Sequence, residues 1–451
     1  MIGIIKNDLR PETQKPKGKG FFEKGNLVQI NGGKFHDDVL WYQVDDGIEI
    51  NSFEVEVDLY SGLPERHQSQ FYICYRKLNA QNAPIESEVS DAPDKLYFSH
   101  LSSPSVKVNN WLPNIFANAV AQSVVGKAEK DVFVYIHGYD WQPGLKLDLA
   151  ARFVQSYMNH PDSTVAKVLY FGWPSYGGRR DADDRSIEFG KSFTQKGLFR
   201  YFKLLSEALQ KQGQSLNLIV HSYGHQLLNG MINPGEGSRH LLPGKIFQNI
   251  FLMAPDITHL SIQKNGVLLR NPKKTRKGRH YHYDLSPLKD LGARVHIYHN
   301  SADYLLYVSS KQSYGIDHVF FDNRPDSMGI TTDYRTLGNY GKDIFDEADS
   351  VLTLEQGFNF VNVQQLVSEA GEAPRNLAFF PFRNNTNSAL AEAWKGNYRN
   401  IKTLEGLFKG DLLLPHHQYL FTCKAVVDDV LRKLRHDHRE FQPEEDRDII
   451  V

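Results

Sequence analysis

A chain of 451 residues is long enough to bury a full core, either as one large domain with additions or as two domains. Its 52 basic and 53 acidic residues leave a formal net charge of −1, so no global field favours nucleic acid or an anionic membrane. No run of about 18 apolar residues is present to span a bilayer. The apolar stretch Met1–Ile5 is too short for a signal peptide, and two cysteines, Cys74 and Cys423, exclude a disulfide scaffold. The cytoplasm is the expected location.

In chain order, residues 1–68 read as a small N-terminal β module. Asn26–Ile30 and Val39–Val44 flank Asn31-Gly32-Gly33, a hairpin signal. Ser52–Leu59 alternates, with Phe53, Val55, Val57 and Leu59 on one face and Glu54, Glu56 and Asp58 on the other. Residues 63–68 read as a linker.

From residue 69 to the end the pattern is of strands alternating with helices. Strands are predicted at Phe71–Tyr75, Lys95–Ser99, Asp131–Ile136, Lys167–Phe171, Leu216–Val220, Ile246–Met253 and Ala293–Tyr298. Several are continuous apolar runs, as expected of parallel strands covered on both faces. Leu198, Phe202, Leu205 and Leu209 form one helical stripe, and Leu420, Val427, Leu431 and Leu434 another. The fold class is therefore α/β, a mostly parallel sheet with helices on both faces. Residues of about 365–412 break the rhythm and read as an insertion, either over the site or peripheral to it.

The chemistry centres on Leu216–Val220 followed by His221-Ser222-Tyr223-Gly224, a strand that runs into a serine turn and then into a helical pattern. Such an elbow lifts a hydroxyl above the edge of a parallel sheet; as an ordinary turn, the same serine would merely cap a helix. A serine needs a base to take its proton and an acid to orient that base, in the chain order Ser, Asp, His on this kind of scaffold. Asp303 follows the strand that ends at Tyr298 and is the expected acid, though it also suits a helix N-cap. Asp256, after the preceding strand, is the alternative. The base is expected on a late loop, where His416 and His417 stand side by side, with His318 a weaker candidate. Oxyanion donors are expected at the backbone N–H of Tyr223 and at that of Tyr139, which follows the strand ending Ile136-His137-Gly138.

The ordered set Phe71–Arg76, Ile136-His-Gly-Tyr139, Phe171-Gly-Trp-Pro-Ser175, Val220-His-Ser-Tyr-Gly224, Ala254-Pro-Asp256, Asp303 and His417-Gln-Tyr419 resembles an uncharacterised bacterial α/β-hydrolase family. Its members carry a Trp-Pro-Ser strand end, a His-Ser-x-Gly elbow and a late His-x-Tyr. The likeness covers roughly residues 70–365 and 412–436. It implies an α/β-hydrolase fold with Ser222 as nucleophile, Asp303 as acid and His417 as base, because Tyr419 stands two residues beyond His417. Two positions depart from the pattern. Val220 stands where a small residue is usual two before the serine, and Arg179–Asp184 follows Gly178 where an aromatic is usual.

The expected activity is a serine hydrolase that cleaves carboxylic esters, acyl or lipid-like, through an acyl-serine intermediate and without a cofactor. The alternatives are a hydrolase-fold scaffold that binds a partner without catalysis and a membrane-directed phospholipase or effector. The last rests on the basic run Arg270–Arg279, which lacks the interleaved aromatics of a nucleic-acid site. His280 with His282 and His436 with His438 lack the companions of a zinc site. Asp181, Asp183 and Asp184 lack the glycine and terminal glutamate of a calcium-binding loop. The expected partner is a small-molecule ester, with no nucleic acid and no metal.

Overall fold

A computed structural model describes, with short gaps, residues 70–101, 112–139, 154–175, 179–300 and 336–369. It also describes Asp303, Leu306 and His416, the stretch 423–436, the pair 449–450 and short N-terminal strands within 2–58. The central sheet contains β1 (Gln70–Cys74), β2 (Tyr97–Leu101), β3 (Asp131–Ile136), β4 (Val165–Gly172), β5 (Ser215–His221), β6 (Phe247–Met253), β7 (Gly292–His299), β8 (Asn359–Asn362) and β9 (Ile449–Ile450). Their spatial order is β2-β1-β4-β3-β5-β6-β7-β8-β9. Every pair from β1 to β8 is parallel, and the two outer strands pair antiparallel. All the predicted strands are present, each within a few residues of its expected ends. The two unforeseen ones, β8 and β9, are only four and two residues long, too short to show a period.

Helices cover both faces. On one side pack α1 (Pro113–Gln122), α2 (Arg179–Gln195), α3 (Phe199–Gln210) and α4 (Gly224–Ile232), which bury Phe116, Ile187, Phe202 and Leu227 among Val134, Phe171, Leu218 and Val220. On the other, α5 (Lys424–His436) buries Val430, Leu431 and Leu434 beside Phe133, Ile219 and Phe251. Both sides of each central strand are thus dry, which is why the strands read as unbroken apolar runs. The α3 stripe is fully buried as predicted. Of the second stripe, Leu420 lies outside the described residues. The run Arg179–Asp184, read from sequence as a loop, forms the first turns of α2.

Helices α2 and α4 touch backbone to backbone. A Cβ added at Gly190 would stand 2.1 Å from the Leu227 carbonyl oxygen, and one at Gly230 2.0 Å from that of Ile187. Thr194 Oγ1 donates to the Met231 carbonyl at 2.5 Å, so the crossing is pinned at its far end as well. Because α4 begins two residues after Ser222, this contact fixes the elbow from below.

Toward the amino-terminal ends of the strands a line of buried polar side chains crosses the sheet. Asn359 Nδ2 donates to His296 Nδ1 (3.4 Å) and His296 Nε2–H to Asn249 Oδ1 (3.2 Å). Asn249 Nδ2 then donates to Asn217 Oδ1, and Asn217 Nδ2 to Asp131 Oδ1, both at 3.0 Å. On the same face α5 is tied to β7 by Asp429, whose Oδ2 accepts from the Tyr298 hydroxyl (2.6 Å) and from Lys433 Nζ (2.8 Å). Burial works against the Asp429 charge, but the Lys433 ammonium, Tyr298 and Arg432 outweigh it and hold the carboxyl below its usual range.

In the N-terminal region, Ile2–Ile5 pairs antiparallel with Leu27–Gln29 and Val55–Asp58. The hairpin expected around Asn31-Gly32-Gly33 is displaced. Gly32–His36 itself pairs with Val39–Gln43, with His36 opposite Val39, so both glycines lie in a strand. The glycines misled because glycine occurs within strands as well as in turns. Ile5, Val28, Ile50 and Val55 belong to the same buried cluster as Tyr72 and Cys74 of β1. Among the described residues, no helix is long and apolar enough to cross a membrane. The linker 63–68 and residues 370–412 of the insertion lie outside the described residues.

Candidate active site

The carboxyl ends of β3, β4, β5, β6 and β7 converge on one edge, where open α/β sheets place their ligands. Between β5 and α4, Ser222 adopts φ +52°, a left-handed conformation that a non-glycine residue rarely takes. Such a residue costs on the order of 1–3 kcal/mol and persists only when its surroundings dictate it. Here they do. The Ser222 N–H donates to the Met253 carbonyl at 2.9 Å. Its own carbonyl accepts the N–H of His225 (3.1 Å), the Nδ1–H of the His225 ring (2.6 Å) and the N–H of Asp256 (3.3 Å).

Glycine two residues after the serine is required by space, because a Cβ on Gly224 would stand 2.7 Å from the His137 carbonyl oxygen. Val220, the departure two residues before the serine, is wholly buried in the core. The close approach falls at Gly224 and Gly138 instead, so a branched side chain at position 220 does not obstruct the elbow.

The Ser222 hydroxyl meets an imidazole. His416 Nε2 lies 2.6 Å from Ser222 Oγ, and His416 Nδ1 lies 2.7 Å from Asp303 Oδ2. A carboxylate oxygen can only accept here, so Nδ1 carries the proton and Nε2 accepts from the hydroxyl. All three side chains are buried, with the serine 7% exposed, the histidine 1% and the aspartate 1%.

The sequence preference for His417 is thereby corrected. The ring between hydroxyl and carboxylate is that of its neighbour His416, and His417 lies outside the described residues, as do Tyr419 and His318. Adjacent residues on a loop project in different directions, and the spacing to Tyr419 does not report which one faces the sheet. The rival acid Asp256 contributes backbone: its N–H reaches Ser222 and its carbonyl accepts from Gln226 Nε2 at 2.6 Å. Asp303 makes two contacts through its carboxylate. Its Oδ1 accepts the N–H of Leu306 at 3.1 Å, as a helix cap does, while Oδ2 faces the imidazole. Asn339 fixes this turn from the side, donating to the Asp303 carbonyl at 2.9 Å.

The loop after β3 passes directly over the elbow. A Cβ on Gly138 would lie 3.0 Å from Ser222 Cβ, so only glycine lets the backbone of residues 137–139 come this close. Tyr139 and Tyr223, the two expected oxyanion residues, are neighbours, with rings edge to face at 5.6 Å. Two residues that sequence reading quoted only as motif letters hold this loop. The Trp173 indole N–H donates to the His137 carbonyl at 3.0 Å, and the Trp173 backbone N–H to His137 Nε2 at 3.3 Å. That leaves Nδ1–H to donate to the Gly138 carbonyl at 2.8 Å, which fixes the neutral tautomer of His137. The rings of His137, Trp173 and Tyr223 form one stack, with centroids 5.5 and 6.1 Å apart.

The site is rich in neutral imidazole. Burial lowers the His225 ring to about 3, against the opposing effect of its bond to Ser222. Burial, and then the nearby His416, push His221 well below its usual value. His299, at the end of β7, is lowered to about 4 by burial and then by Lys342. None of these three rings carries a positive charge near neutral pH.

No curated protein and no solved structure matches the chain. Residues 114–318, the stretch from α1 through the elbow and past Asp303, match a family model described as an alpha/beta hydrolase of unknown function, DUF900. With the mostly parallel, helix-flanked sheet described above, this match gives the chain the alpha/beta-hydrolase fold.

Proposed function

We propose that the protein is a serine hydrolase that cleaves a carboxylic ester through an acyl-serine intermediate. The observation that carries this reading is the continuous relay Ser222 Oγ, His416 Nε2, His416 Nδ1, Asp303 Oδ2, with separations of 2.6 and 2.7 Å at its two hydrogen bonds. In this mechanism the Ser222 hydroxyl gives its proton to His416 Nε2 as Oγ attacks the ester carbonyl carbon. Asp303 holds the ring in the right tautomer and stabilises the imidazolium that forms. The tetrahedral oxyanion is received by the backbone N–H groups of Tyr223 and Tyr139, one such donor being worth about 3–4 kcal/mol. Collapse of the intermediate expels the alcohol, which takes the proton from His416. Water then repeats the sequence on the acyl-enzyme and restores the serine.

A purely binding scaffold is less favoured. It has no use for a serine held at φ +52° against an imidazole nitrogen, and strain of this kind is retained where a reactive group must be presented. The test is covalent labelling by a fluorophosphonate together with hydrolysis of a short p-nitrophenyl ester. Wild type should be labelled and active, and Ser222→Ala neither. Labelling that survives this substitution would place the nucleophile elsewhere, and a folded wild type inert in both assays would overturn the reading.

A further inference from the structure

His221 stands one residue before the nucleophile and has no part in the relay, yet its ring touches the residue that carries the base. Its Nε2 lies 3.2 Å from the backbone carbonyl oxygen of His416, and the two rings are 4.9 Å apart, tilted by 45°. A carbonyl can only accept, so Nε2 carries the proton and the tautomer is fixed. On the opposite side the ring is confined, since a Cβ on Gly138 would lie 3.4 Å from His221 Nδ1. Both imidazoles are buried, 1% exposed each.

We propose that His221 is a positioning residue that anchors the base. Its N–H bond to the His416 carbonyl holds the base against the strand that bears the nucleophile, so that base and serine move as one body. This rests on the reading of Ser222 and His416 as nucleophile and base. The reasoning is geometric. His416 stands 195 residues further along the chain than His221. Its side-chain bonds to Ser222 and Asp303 fix the ring plane but not where its Cα sits. A hydrogen bond to its backbone carbonyl comes from the residue covalently joined to Ser222. Misplacing a catalytic group by about 1 Å can cost roughly 10²-fold in rate, so one backbone anchor is enough to matter. Burial keeps His221 uncharged, and a neutral neighbour 4.9 Å away does not oppose the imidazolium that forms on His416 in each half-reaction.

Three substitutions test this. In His221→Gln the amide nitrogen reaches about as far as Nε2; in His221→Asn it falls one bond short; in His221→Leu the donor is gone. With a p-nitrophenyl ester, kcat should fall about 10²-fold in the Asn and Leu variants, with KM held within about twofold, while Gln regains most of the loss. The downfield proton resonance of His416 Nδ1–H bonded to Asp303 should persist in wild type and the Gln variant and broaden in the other two. This signal needs no turnover, so it reports on the anchor even if the ester assay fails and the functional reading falls. Asn and Gln variants with equal kcat and equal resonances, or losses that follow melting temperature rather than donor reach, would overturn the proposal. If the Leu variant does not fold, the Gln and Asn pair decides.

Discussion

Two buried polar networks lie on the same sheet and differ in how they are assembled. Toward the amino-terminal ends of the strands, Asp131, Asn217, Asn249, His296 and Asn359 come from five adjacent strands, and each hydrogen bond links side chains already set close by strand register. At the carboxyl edge, Ser222, Asp303 and His416 come from an elbow and two loops 81 and 113 residues apart along the chain, and no ladder fixes them. The lower network serves stability: satisfied amides hold strands in one register, and nothing in it is asked to move a proton. The upper one holds a hydroxyl in a strained backbone beside an imidazole nitrogen, a geometry that costs stability. The surrounding bonds, from His225 to the serine carbonyl, from Trp173 to the His137 loop and from His221 to His416, restore at the edge the rigidity that the strands supply below.

Mutations at the two levels should therefore separate activity from stability. The largest effect is expected from Ser222→Ala and His416→Ala, each lowering kcat roughly 10⁴–10⁶-fold without a loss in melting temperature beyond a few degrees. His417→Ala should stay near wild type in the same assay, and the reverse ranking would return the base to His417. Next, Gly138→Val forces a Cβ against Ser222 and moves the Tyr139 N–H, so kcat should drop by about 10²–10³-fold while KM changes little; stopped-flow acylation rates would measure it. In the lower network, Asn217→Leu leaves the Asp131 carboxylate and the Asn249 amide short of a partner. It should cost about 2–3 kcal/mol in urea unfolding with specific activity per folded molecule unchanged. A large activity loss there would erase the division between the networks.

A further effect is in pH. His225 titrates near 3 and His299 near 4 in the folded protein, whereas an unfolded histidine titrates near 6.5. Below about pH 6.5 the unfolded chain binds protons that the folded chain refuses, so stability falls as pH drops from there toward 4, by up to about 1.4 kcal/mol per pH unit for each such ring. Denaturant melts from pH 7 to pH 5 should show this slope, and His299→Gln should flatten it. A flat profile for wild type would mean that these rings are not buried as described.

The central strands were legible because parallel strands covered on both sides leave unbroken apolar runs, as in Val132–Ile136 and Leu216–Val220. The serine elbow and Asp303 were legible because both follow the ends of such runs, where the sheet opens. His416 was not separable from His417, since two adjacent loop residues carry no period from which to infer direction. The roles of His137, Trp173 and His221 were hidden for a related reason. Each acts through a hydrogen bond to a residue distant along the chain, and motif letters do not name that partner. The polar line was invisible because isolated Asn and His within apolar strands look like exceptions until neighbouring strands are placed in register.

Taken alone, the amino-acid sequence determined the layered α/β architecture, the order of its main strands along the chain and the place of the serine elbow, because these follow from local periodicity and from what a strand end must become. Only the tertiary structure decided which histidine meets that serine, how one aspartate both caps a helix and faces the imidazole, and which buried rings brace the site. Those depend on contacts between segments far apart in the chain, where a difference of one residue in loop direction changes the partner and leaves the local pattern untouched.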